Sequence, residues 1–164
     1  FAGAMTVDAN DHDIVAWQPS GGNNNFFTTK LRASDGFELW SATYDNNSDD
    51  RPLFVAVDHS NDVLVVGSTL GTGTDVAIVK YNGVSGAEQW RAITAGPASS
   101  TDTPVAITMD AEDNLFIAAT YLNGGFTDLI FMKYTPGGTR TLFAGMTGNR
   151  DDTVSSLAVD GFGH

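Results

Sequence analysis

Cysteine is absent from the 164 residues. That excludes a disulfide framework, a thiolate metal site and a cysteine nucleophile. Basic residues are scarce: Lys and Arg total 8 against 20 Asp and Glu, giving a formal net charge of −12 and a pI near 4.2. So acidic a chain is repelled by nucleic acid and by anionic membrane surfaces, so neither is an expected partner. No apolar run approaches the roughly 20 residues that a bilayer crossing needs, so no membrane insertion is expected. Glutamate is the rarer acid, with Glu38, Glu88 and Glu112 standing against 17 Asp. Glu favours helix interiors, whereas Asp competes for backbone hydrogen bonds and favours turns. Charged residues are only 17% of the chain, below the roughly 25% norm, which weakens a halophile-type reading. The chain opens at Phe1 without a methionine or signal-type segment. It reads as a trimmed sequence whose N-terminal address has been lost.

What is present is Gly (18), Thr (18) and Asp, with 41% hydrophobic residues. This composition describes short strands joined by tight turns within one domain. The chain repeats itself. Asp8, Asp58, Asp110 and Asp160 recur at spacings of 50, 52 and 50. The three lysines, Lys30, Lys80 and Lys133, keep spacings of 50 and 53. Each is followed ten residues later by an aromatic, Trp40, Trp90 and Phe143. Asp50, Asp102 and Asp152 form a further set. The repeats run over about 1–51, 52–103 and 104–153, with the start of a fourth over 154–164.

The second repeat predicts four strands, A to D, near 53–58, 63–69, 75–81 and 88–94, each rich in Val, Ile and Thr and bounded by turn residues. The A–B turn places Asn61, Asp113 and Gly163 at one position, residue types that tolerate a left-handed backbone. The first turn, from Asp8 to Ile14, reads as one residue longer. In strand C, Val76, Ile78 and Lys80 share one face, and Ala77, Val79 and Tyr81 the other. A small antiparallel sheet apolar on both sides must be covered on both sides. Four-stranded sheets of about fifty residues that cover one another predict a β-propeller, with a β-solenoid as the runner-up.

The stretch from Gly73 to Asn82 (GTDVAIVKYN), followed by Ser85-Gly86 and Trp90, resembles the bacterial β-propeller repeat family called SBBP. Val65-Val66-Gly67-Ser68, Asp102-Thr103-Pro104 and Ala158-Val159-Asp160 extend the resemblance over nearly the whole chain. The Gly36…Trp40 and Gly86…Trp90 spacing is also similar to the tryptophan-docking motif of quinoprotein propellers. Repeat 3 departs from it, with Phe143 in place of Trp and a weaker aromatic dock. The resemblance implies a secreted or cell-surface bacterial protein, commonly attached to other modules.

Strands A near 4–8 and 157–160 make the chain three blades plus one strand, a partial propeller. A closed propeller needs about four to eight blades. The expectation is a fragment, or a ring completed by the remaining blades of the same polypeptide or by other chains.

Several constellations carry two readings. The lysines either form a cationic ring for an anion or, as buried charges require, each join an Asp of the Asp58 or Asp102 set between blades. Trp40, Trp90 and Phe143 read as inter-blade packing residues, with a carbohydrate platform as the alternative. Trp17, aligned with Val66 and Ala118, reads as a local feature or a gap filler. The clusters 8–13, 45–50 and 110–113 offer oxygen ligands to calcium, but lack the spacing of a calcium loop. His12, His59 and His164 show no metal-ligand spacing, and no nucleophile elbow, zinc helix motif or phosphate loop is present. The reading is a non-enzymatic extracellular scaffold that binds a protein or glycan, with no catalytic, cofactor or metal residues assigned. The alternative is a piece of a propeller enzyme, a quinoprotein-like dehydrogenase or a hydrolase, with its catalytic residues outside this chain.

Overall fold

Twelve β-strands, and no helix among the described residues, make up the computed structural model, which describes residues 2–19, 24–96 and 100–160. The first repeat supplies β1 (Ala2–Val7), β2 (Asp13–Trp17), β3 (Phe26–Leu31) and β4 (Glu38–Tyr44). The second supplies β5 (Asp50–Val57), β6 (Val63–Leu70), β7 (Thr74–Tyr81) and β8 (Glu88–Thr94). The third supplies β9 (Thr103–Met109), β10 (Leu115–Asn123), β11 (Phe126–Tyr134) and β12 (Arg140–Met146). Each set forms its own four-stranded sheet, with neighbours in sequence order. The expected four-strand repeat is therefore present three times.

Sequence explains the strand ends. The A–B turn is the same in all three sheets: Val7 pairs with Asp13, Val57 with Val63 and Met109 with Leu115. Its left-handed position is held by Asp11, Asn61 and Asp113, with φ of 60°, 61° and 62°. The extra residue expected in the first turn is not there. Trp17 consequently aligns with Gly67 and Ala119, which occupy the same register opposite Pro52 and Pro104, and not with Val66 and Ala118. Gly163 and His164 lie outside the described residues. The first strand of each sheet is bulged near its start, at Ala2/Ala4, Pro52/Phe54 and Pro104/Ala106. An outer strand interrupted in this way tolerates a proline, which has no N–H to donate.

A strand expected near 157–160 is not formed; 151–160 is irregular. A strand requires a run of paired backbone groups, and this segment forms no ladder: Asp152 N–H donates to the Thr127 carbonyl and Asp151 accepts from the Thr127 N–H.

Two compact units divide the chain, residues 1–70 with 77–92 and residues 71–76 with 93–164. In the first, the Lys30-bearing face of β2–β4 packs on the opposite kind of face of β6 and β7. Ile14, Phe26, Trp40 and Tyr44 form one cluster there with Val63, Val65, Ala77, Val79 and Tyr81. In the second, the core includes Leu115, Ile117, Ile130 and Met132, while every residue of β12 is exposed. No helix of the described residues is long and apolar enough to cross a membrane.

Candidate functional site

The site begins with the repeated Asp that opens each A–B turn. Asp8 Oδ1 accepts from the backbone N–H groups of Asn10 and His12 at 2.8 and 2.9 Å. Asp58 does the same for Ser60 and Asp62, and Asp110 for Glu112 and Asn114. The second oxygen, Oδ2, faces the strand C lysine: Lys30 Nζ at 2.7 Å, Lys80 at 2.7 Å and Lys133 at 3.3 Å. Lysine thus joins the Asp58 set, one of the two sets that the pairing argument left open. The pair closes within one sheet and not between sheets, because the A–B turn folds back over strand C of its own repeat.

Burial works to raise the Asp8 carboxyl. The Lys30 ammonium and the His12 and Asn10 N–H groups outweigh it and hold the group well below the usual carboxylate range. Asp110 is likewise lowered: burial opposes, and Asn114 and Lys133 prevail. The first pair has a further partner. Lys30 Nζ donates to the Gly83 carbonyl at 2.7 Å, and Trp40 Nε1 donates to the same oxygen at 3.1 Å. Gly83 is fixed in turn, because its N–H donates to Asp62 Oδ1 at 2.9 Å. A Cβ there would fall 1.6 Å from the Asn61 carbonyl, so only glycine fits. The Trp40 ring lies over Gly86, where a Cβ would stand 2.8 Å from it. Trp40 therefore packs one sheet on the next, and this burial leaves it unsuited to be an open stacking platform.

The third repeat breaks this pattern by one residue. Its C–D turn closes from Thr135 to Thr139, whereas the first closes from Arg32 to Phe37. Lys30 therefore pairs with Trp40, but Lys133 pairs with Leu142. Phe143 pairs with Met132 and points to the opposite face. The residue that takes the tryptophan position is Leu142.

Around the first pair lies a cavity of about 300 Å³, lined by Asn10, His12, Lys30, Leu39, Trp40, Gly83 and Val84. His12 Nδ1 sits 3.2 Å from Asp8 Oδ2, which fixes the imidazole and leaves Nε2 uncommitted to that pair. The neighbouring position differs in each sheet: His12, Asp62 and Asn114 occupy one address beside one invariant pair. His59 sits at another turn position and does not join this group.

The remaining candidates have local roles. Trp17 lies on the surface against Phe27, ring centroids 4.9 Å apart. Asp50 is fully buried and accepts from Thr69 Oγ1 at 2.5 Å and from the Asn46 N–H at 2.9 Å. Burial raises its pKa against those hydrogen bonds. Asp102 accepts from Ser100 Oγ at 2.6 Å and from the Gly96 N–H. Among the described residues no three His, Asp or Glu side chains converge as metal ligands.

The cavity and the Gly83 acceptor were not foreseen from the sequence. The signal for Gly83 was there, a glycine in the C–D turn beside an Asp-rich A–B turn, but only the packing of two sheets gives its carbonyl a purpose. Compared with known proteins, the chain matches no family model and no curated protein.

Proposed function

We propose that this chain is part of a β-propeller of the SBBP type, a non-enzymatic scaffold displayed outside a bacterial cell that binds a protein or glycan through its turns. One observation carries the reading: the lysine-bearing face is covered in the first sheet, whereas in the third its last strand is bare although Leu129 and Ala118 on that face are buried. In the first sheet Phe26, Thr28, Lys30 and Trp40 are buried beneath the second sheet's opposite face. In the third, the matching face carries Leu142 and Met146, which are 44% and 57% exposed. A further sheet of the same kind satisfies it, whether from the same polypeptide or from another chain. The lysine pairs support a structural role, since buried Lys30 and Lys80 and half-buried Lys133 each face a carboxylate. Light scattering at micromolar concentration tests the reading. Self-association, relieved when a fourth repeat is fused after the third, is the expected result. A stable monomer with that face bare would overturn it.

A further inference from the structure

We propose that the cavity beside Lys30 is a binding site for a single uncharged pyranose ring, a terminal sugar. This rests on the scaffold reading and names the ligand class of one of its surfaces.

The lining decides the class. Leu39 and Val84, 40% and 87% exposed, line this cavity, while Trp40 borders it as a buried residue. These carbon surfaces suit the C–H faces of a sugar. Asn10 and His12 add polar hydrogen-bonding groups, since the imidazole Nε2 is not used by Asp8. An ammonium has three N–H groups. Lys30 directs two of them at Asp8 and Gly83, and its side chain lines the cavity.

Charge narrows the choice further. Lys30 is already neutralised by Asp8, so the site offers no free cation to an anion, and the chain's net charge of −12 repels one. A cation would have to stand beside the Lys30 ammonium. Size narrows it again: about 300 Å³ is at the small end of ligand sites, enough for one ring and not for an extended chain. The other two sheets keep the Asp–Lys pair but carry Asp62 or Asn114 where the first carries His12, so the recognition is confined to the first sheet.

The test is ¹⁵N–¹H NMR on the full chain, titrated with methyl glycosides of glucose, galactose, mannose and N-acetylglucosamine. With at least one of them, saturable shifts are expected at the Trp40 indole N–H and the Gly83 and Val84 amides, with a midpoint in the millimolar range. His12→Ala and Asn10→Ala lie at half-exposed or exposed positions and should keep a dispersed spectrum. Each should weaken the midpoint about fivefold, as the loss of one hydrogen bond does. Absence of saturation by ~100 mM with all four sugars, or shifts that both variants leave unchanged, overturns the proposal. Light scattering on the same samples separates the two ideas. If association persists without sugar binding, only this site fails; if the chain is a bare monomer, the scaffold reading fails with it.

Discussion

Two buried aspartates in this chain respond to acid in opposite directions, and the cause is the partner each one has. Asp8 faces an ammonium, so its folded-state pKa lies below the unfolded one despite burial. Its contribution to stability is complete above the unfolded carboxylate value of about 4 and is lost as pH falls through the folded value. Asp50 faces hydroxyls and an N–H but no cation, so burial raises its pKa. The stability linked to its proton is present at low pH and lost as pH rises through the folded value. Asp8→Asn should cost about 3 kcal/mol at pH 7, because it leaves the Lys30 ammonium buried without its counter-charge. Urea denaturation should show that gap narrowing below pH ~4. Asp50→Asn should cost only about 1 kcal/mol in the same assay, since it removes a buried charge along with part of the hydrogen bonding. The identity of these residues was legible in the sequence from their spacing. Their partners were only half legible: a buried lysine demands a carboxylate, but spacing does not say whether that carboxylate lies in the same sheet or the next.

Strands and turns were the most readable level. The second repeat's strands were expected at 63–69 and 88–94 and are found as Val63–Leu70 and Glu88–Thr94. Alternating Val, Ile and Thr between Gly, Asn and Asp leaves little choice there. What failed was counting across turns. A ten-residue interval from Lys133 reaches Phe143, yet one residue is missing from that C–D turn, so the register delivers Leu142 instead. A change of one residue in a loop reverses every side chain beyond it, and a linear count cannot detect it. The C–D turns also allow a controlled comparison. Gly36 and Gly86 share φ of +71°, but a Cβ at Gly36 meets nothing while one at Gly86 meets the Trp40 ring. Gly36→Ala should cost about 1 kcal/mol, the backbone term alone. Gly86→Ala should cost about 1–3 kcal/mol more, the overpacking term. Thermal melts of both variants read the difference as the energetic weight of the Trp40 contact.

The packing of sheet on sheet is a property of the whole molecule, and apolar strands on both faces announced that cover was needed without saying which face meets which. In the first unit the lysine-bearing face lies on a face that carries no lysine. Leu142→Lys with Met146→Lys should therefore reduce self-association of the chain by about tenfold or more, as expected for removing buried apolar side chains from a contact. Sedimentation velocity would register the change as a shift towards monomer, and unchanged association would place the contact elsewhere. A joint made from unlike halves cannot be satisfied by a twofold axis, as most paired subunits are. It has a front and a back, so any series built from such joints would grow in one direction. Such a series either curves until its last front meets its first back, or runs on as a filament. The repeat number at which it stops is then governed by the angle between successive members, and a single residue that alters that angle would change the count without touching the chemistry of any one of them.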